Sequence, residues 1–226
     1  MKLLRSFFWA LMFFYAARLA WADGNSNALE EKLIAQNLVN VQELAPEIRV
    51  DLKYSTTDNF LHEDVYGELK TAYLQQIPAM RLALAQGYLS KTLPGYSLLV
   101  YDAARPRAVQ RKMWALVVGT SLEVYVANPE SGSIHNFGAA VDLTIADKLG
   151  RPIDMGTPFD YFGDLAQPVL EEKLLTEGKL TSKQVENRKL LRRIMRASGF
   201  QEITEEWWHF EAAMPIPARK LYLIIE

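Results

Sequence analysis

The chain contains no cysteine. That absence excludes a disulfide framework, a thiolate metal site, a cysteine nucleophile and a lipoprotein anchor. Histidine is nearly as scarce, with three in 226 residues. A surplus of charge is missing too, since 25 basic and 27 acidic side chains leave a net charge of -2. Without a basic excess there is no electrostatic footprint for nucleic acid or for an anionic membrane surface. The short basic pairs Arg188-Lys189 and Arg192-Arg193 fall at helical spacing and are expected to face solvent. No internal repeat, low-complexity tract or linker divides the sequence. Half of its residues are hydrophobic against 23% charged, which is the composition of a globular domain with a sizeable core.

Long apolar runs are rare as well, and the one that stands out is at the start. Lys2 and Arg5 precede an apolar stretch from Phe7 to Ala17, followed by the small-x-small triplet Ala20-Trp21-Ala22. This is the layout of a secretory signal peptide. Polar Asp23-Gly24-Asn25-Ser26 follows too soon for a membrane span. Arg18, close to the run, keeps an uncleaved anchor as the alternative. The expectation is a signal peptide at 1–22 and a single domain over 23–226, with 22 basic and 27 acidic side chains left after cleavage. Such a protein is periplasmic or secreted, without stable membrane association.

What is present reads as a mixture of helices and strands. Helical spacing covers 27–36. Val39–Leu44 and Ile48–Tyr54 alternate as two strands, with Ala45-Pro46-Glu47 as the turn between them. A polar loop runs to Gly67. A helix is expected over Leu69–Leu93, interrupted or restarted at Pro78, with Met80, Leu82, Leu84, Tyr88 and Leu89 on its buried side. Tyr96–Tyr101 is a buried strand leading to Asp102-Ala103-Ala104-Arg105-Pro106, and Arg107–Val118 is a helix. Ala139–Ile145 is a strand with Val141, Leu143 and Ile145 on one side and Ala140, Asp142 and Thr144 on the other. Residues 182–198 form the clearest helix, capped by Ser182 and closed by Gly199. Phe200–Ile203 and Trp207–Ala212 form a final hairpin. The pattern predicts an α+β fold with a mainly antiparallel sheet flanked by helices.

Chemistry concentrates in two stretches. Ser133-Ile134-His135-Asn136-Phe137-Gly138-Ala139-Ala140-Val141-Asp142 supplies an imidazole and a carboxylate, and Glu205-Glu206-Trp207-Trp208-His209 supplies another of each. Two imidazoles and one carboxylate are three protein ligands for a catalytic Zn2+, and Glu206 remains as general base. A lone histidine beside an apolar strand is ordinarily a satisfied structural residue. Here two of the three histidines fall in these stretches, while His62 sits in a polar loop and is expected at the surface. Glu206 stands three residues before His209, which on an ideal strand means opposite faces. Either a bulge intervenes or Glu206 lies at the strand's mouth. Arg105 ends a buried strand, where its plain role is an ion pair with Asp102 and its functional one is to face a developing oxyanion.

These residues carry a resemblance. Ser133-x-His135-x-x-Gly138-x-Ala140-x-Asp142 with Glu206-Trp207-Trp208-His209 resembles the D-alanyl-D-alanine dipeptidase family, which includes the dipeptidases of vancomycin resistance. Lys53-Tyr54-Ser55-Thr56-Thr57-Asp58-Asn59-Phe60, Tyr101-Asp102-x-x-Arg105-Pro106, Met155-Gly156-x-x-Phe159-Asp160 and Asn187-Arg188-x-x-Leu191 follow in the family's order. The resemblance implies zinc on His135, Asp142 and His209, Glu206 as base and Arg105 as transition-state stabiliser. It also implies a small closed cavity for a free dipeptide, with Tyr54 and Asp160 near the substrate ammonium and Ser133 near its carboxylate. Two stretches depart from the family pattern, Tyr161–Pro168 after Asp160 and Ala103-Ala104 before Arg105, and both bear on pocket size. The rivals are a related D,D-carboxypeptidase or endopeptidase of peptidoglycan stems and a non-enzymatic wall-binding module. The doubled tryptophan and the Tyr54–Phe60 loop favour the dipeptidase, and no ligand or base is missing as the binding module would require.

Overall fold

The computed structural model describes residues 28–212 and 216–226. The expected signal peptide, 1–22, lies outside the described residues. Among the described residues no helix is long and apolar enough to cross a membrane.

A five-stranded sheet organises the fold. Its strands are β2 (Arg49–Val50), β4 (Ser97–Asp102), β5 (Ala140–Ala146), β7 (His209–Ala212) and β6 (Phe200–Glu202), in that spatial order. Only β2 and β4 run parallel; the other three pairs are antiparallel. β5 is the central strand, and all seven of its residues are buried. That burial on both faces explains its near-continuous apolar sequence. A separate two-stranded sheet pairs β1 (Val39–Asn40) with β3 (Tyr73–Leu74). Helices α1 (Ala28–Ala35), α3 (Gln76–Thr92), α4 (Arg107–Val117) and α6 (Ser182–Ala197) flank these sheets, with short α2 (Val41–Leu44), α5 (Glu171–Thr176) and α7 (Ala218–Leu221). The architecture is α+β with a mainly antiparallel sheet, as the pattern predicts.

Local chemistry corrects several expectations. The strand expected over Val39–Leu44 stops after two residues, because the Asn40 side chain accepts from Gln42 N at 2.9 Å and caps α2. The strand expected over Ile48–Tyr54 narrows to β2, and Lys53–Ser55 forms a single 3₁₀ turn. These two strands do not pair with each other. The helix expected from Leu69 begins only at Gln76, so Pro78 sits in its first turn, where its missing N–H costs no hydrogen bond. Leu82 and Leu89 are buried on it, but Met80 and Leu84 are exposed, and Ala79, Ala85 and Gln86 take the inner positions. The cap of α6 is Thr181 rather than Ser182: Thr181 Oγ1 accepts from Gln184 N, and Gln184 Oε1 accepts from Thr181 N.

Arg188 is the largest correction to the charge reading. It is buried rather than solvated. Its Nε donates to Met155 O at 2.6 Å and its Nη2 to Leu165 O at 2.8 Å, while Asn187 Nδ2 donates to Asp154 O at 2.8 Å. Two adjacent side chains of α6 thus tie down the irregular segment 154–165. Glu171, also buried, compensates Arg188 at 3.6 Å and takes hydrogen bonds from Arg192.

Candidate metal centre and its cavity

Three neighbouring strands set the site. Asp142 on β5 lies opposite His209 on β7 and, on its other flank, opposite Asp102 on β4. A register shift between Val100 and Asp102 brings Asp102 into line with Asp142. His135 enters from the 3₁₀ turn Ile134–Phe137, which Ser133 and Asn136 close at its start as a capping box. Gly138 ends that turn at φ 63°, and a Cβ there would come within 3.2 Å of Leu38 and 3.3 Å of the Gln75 backbone nitrogen. Both the backbone conformation and the space call for glycine. Arg105 N donates to His135 O at 3.0 Å, and Asn136 Nδ2 donates to Arg105 O at 2.7 Å, so the histidine turn and the arginine are stapled together.

The three donor atoms form a small triangle. His135 Nε2 lies 3.2 Å from His209 Nδ1 and 3.4 Å from Asp142 Oδ1, and His209 Nδ1 lies 2.9 Å from Asp142 Oδ1. Ligand atoms of a tetrahedral ion with bonds of about 2.0–2.1 Å stand about 3.3 Å apart. The outer nitrogens have their own partners: His135 Nδ1 donates to Ala103 O at 2.7 Å, and His209 Nε2 faces Glu211 at 3.6 Å. That leaves His135 Nε2 and His209 Nδ1 as the nitrogens turned toward the triangle, which is the arrangement of histidine ligands with outer partners. His135, Asp142 and His209 therefore suit a metal ion.

Electrostatics agree with a site built for a cation. Burial penalises the Asp142 carboxylate, but the two imidazoles outweigh that and hold it well below the ordinary carboxylate range. Burial also opposes the charged form of His209, yet its hydrogen bonds to Asp142 and Glu211 raise it to about 10.

A cavity of about 140 Å³ opens onto the triangle. Tyr54, Arg105, Ser133, Asp160 and Glu206 line it together with His135, Asp142 and His209, so all eight residues singled out in the sequence meet in one place. His62 is exposed elsewhere. Glu206 lies ahead of the Trp207-Trp208 turn, at the mouth of β7, with no bulge needed. Burial pushes its carboxyl up; the His209 imidazole opposes this, while the Asp142 charge adds to it. Arg105 makes the ion pair expected of it. Its Nε donates to Asp102 Oδ2 at 3.0 Å, its Nη2 pairs with the same oxygen, and it still reaches the cavity.

Tyr54 Oη donates to Asp160 Oδ1 at 3.1 Å, whereas Asp160 Oδ2 is buried without a hydrogen-bond partner. Burial, reinforced by the Asp142 charge, raises Asp160 well above its ordinary value. Asp160 also adopts φ 59°, uncommon for a residue with a side chain.

Sequence reasoning named Asp102 as the partner of Arg105 but missed Tyr66 and Gln110 behind the pair. Asp102 is fully buried and accepts from Tyr66 Oη at 2.5 Å and from Ala103 N at 2.9 Å. Gln110 Oε1 accepts from Arg105 Nη1 at 3.0 Å, and Gln110 Nε2 donates to Ala127 O at 2.7 Å. The only signal was their apolar surroundings, where a polar side chain must have a partner.

A buried His-Asp-His triangle with a carboxyl and a guanidinium on one small cavity defines a metallopeptidase site. The D-ala-D-ala dipeptidase profile of the peptidase M15 family matches residues 34–221, and the chain belongs to that family. It is 32% identical over 174 residues to the D-alanyl-D-alanine dipeptidase of Escherichia coli strain K12, covering 77% of this chain and 83% of that one. To the D-alanyl-D-alanine dipeptidase of Enterococcus faecalis strain V583 it is 30% identical over 187 residues, 76% of this chain and 89% of the relative. The D-alanyl-D-alanine dipeptidase of Synechocystis strain PCC 6803 is 29% identical over 212 residues, covering 80% and 81%. The protein is a metal-dependent peptide hydrolase.

Proposed function

We propose that the protein is an exported zinc dipeptidase that hydrolyses D-Ala-D-Ala and related short D-containing dipeptides to free amino acids. The observation that carries this is the donor triangle of 2.9, 3.2 and 3.4 Å opening onto a cavity of about 140 Å³. Cavities for drug-sized ligands begin near roughly 300 Å³, so this one suits a substrate of few heavy atoms. The relatives' names supply the dipeptide.

His135, Asp142 and His209 would hold the zinc. When bound, the ion supplies Lewis acidity, polarising a carbonyl oxygen and acidifying water. Glu206 acts as base: it takes a proton from the attacking water and passes it to the departing amine. Its raised pKa matches that task, since a carboxylate nearer neutrality accepts and returns a proton more readily. Arg105 donates to the oxyanion of the tetrahedral intermediate. Asp102 and Gln110 hold its guanidinium in place, so little reorganisation is needed as charge develops. Asp160 and Tyr54 receive the substrate ammonium, for which the unpartnered Asp160 Oδ2 is a ready acceptor. Ser133 meets the carboxylate end.

The same reading takes 1–22 as a cleaved signal and 23–226 as one catalytic domain. An exported enzyme does not meet a cytoplasmic precursor pool, which favours wall turnover or nutrient use over antibiotic resistance. The test is incubation of zinc-loaded protein with D-Ala-D-Ala. Release of D-alanine that a chelator abolishes and zinc restores is expected. Absence of release, with cleavage of a stem pentapeptide instead, would replace the dipeptidase by a D,D-carboxypeptidase.

A further inference from the structure

The segment after α7 returns to the turn that carries His135. Ile225 is fully buried, and both of its backbone groups are taken. Its N–H donates to Asn136 O at 2.7 Å, and its carbonyl accepts from Arg107 N at 2.6 Å. Asn136 follows the metal ligand His135 in the 3₁₀ turn. Arg107 opens α4, and the first N–H groups of a helix have no partner within it.

Side chains on either side secure this bridge. Glu226 pairs with Arg107 and, at 3.4 Å, with Arg111, both on α4. Arg219 of α7 donates to Ser131 O and, at 2.7 Å, to Gly132 O, and its guanidinium lies 5.3 Å from the centre of the Phe137 ring. Residues 219–226 therefore grip the stretch 131–137 at both ends while also holding the start of α4. Both of these carry the site: the stretch bears Ser133 and His135, and Gln110 of α4 holds the Arg105 guanidinium. The family profile matches as far as residue 221, so Ile225 lies outside it.

We infer that Ile225 is a positioning residue for the site: its two backbone hydrogen bonds clamp the His135 turn to the start of α4, and so fix the metal ligand against the guanidinium. Arg105 N and Asn136 Nδ2 already tie the turn to Arg105. Pro106, next in the chain, has no N–H to offer. Ile225 supplies the following tie, at Arg107, so the run 105–107 is fastened to the histidine turn at both of its ends. The buried Ile225 side chain keeps that backbone in place and shields its hydrogen bonds from water. The inference rests on the zinc reading of the triangle.

The test measures zinc affinity by chelator competition, and kcat and KM of the zinc-saturated protein for D-Ala-D-Ala. The parent, Ile225→Ala, Ile225→Val, Arg219→Ala and Leu223→Ala are compared. Ile225→Ala is expected to weaken zinc binding at least about tenfold and to lower kcat by a similar factor with KM little changed, as ligand and guanidinium lose their spacing. Ile225→Val, which keeps a branched apolar side chain, is expected to recover both. Leu223 is 86% exposed, and Leu223→Ala is expected to match the parent. A purely structural role would lower the melting temperature and leave zinc affinity and kcat alone, and that outcome overturns the inference. If Ile225→Ala does not fold, Arg219→Ala decides, because Arg219 is exposed and its loss is expected to weaken zinc in the same direction. Zinc affinity at the parent's value in that variant would then overturn the inference. A parent that binds no zinc overturns the metal reading, and this inference with it. A parent that binds zinc without cleaving D-Ala-D-Ala removes the dipeptidase reading alone, and zinc affinity still decides the role of Ile225.

Discussion

Glu206 and His209 sit three residues apart, yet they reach one cavity because the chain turns at Trp207-Trp208 before β7 begins. A base at that point need not contribute to the metal's grip, so the two functions separate by mutation. Glu206→Gln is expected to retain its zinc while kcat falls by about 10² to 10⁴, the share general-base catalysis ordinarily supplies. Metal analysis beside steady-state turnover checks this. The paired imidazoles make a second prediction. Hydrogen bonds to Asp142 and Glu211 favour the protonated His209 imidazole, raising it to about 10, and a metal ligand must be deprotonated, so metal and proton compete for it. Raising the pH removes that competitor. Apparent zinc affinity should therefore climb by about tenfold per pH unit between roughly pH 7 and 9, corresponding to about 1.4 kcal/mol per unit. Chelator competition at stepped pH reads it, and a flat profile would show that no proton is displaced.

At the scale of elements, the sheet and α6 divide the work. Strands β4, β5 and β7 align Asp102, Asp142 and His209, while α6 fixes the loop that carries Asp160 and Phe162. Arg188→Met should leave the metal triangle intact but cost about 3 kcal/mol or more of stability, because two hydrogen bonds from a charged donor disappear and Glu171 loses one partner. It should also raise KM for the dipeptide through the loosened loop. Denaturant unfolding and kinetics together check both. The metal residues were legible because His135 and Asp142 bracket the turn into a strongly apolar strand, and a carboxylate on such a strand needs a reason to be there. Arg188 was not legible as an anchor. Beside Lys189 and opposite nothing in sequence, it reads as solvated, and only the fold brings the carbonyls of Met155 and Leu165 to it. The start of α3 was blurred for a related reason. Leu69 and Leu74 are buried from irregular chain and from β3, and they mimic a helical repeat that the backbone does not follow. The capping of α2 by Asn40 was hidden inside an alternating stretch, where local hydrogen bonding overrode the strand pattern.

For the molecule as a whole, a cysteine-free domain draws its order from the core and from the site at its centre. If residues 1–22 direct export, the protein recovered from the periplasm should begin at Asp23, as intact-mass measurement would show; a full-length mass would favour the uncleaved anchor. Metal binding to the native state alone should also stabilise the domain in proportion to the logarithm of free zinc, so that melting temperature rises on titration and falls with chelator. The melting response follows from one claim, that His135, Asp142 and His209 jointly hold a single ion. The most direct measurement is zinc per chain, by atomic emission, in the parent and in His209→Ala purified side by side. The account predicts one zinc in the parent and close to none in the variant. Equal zinc in the two proteins would contradict it.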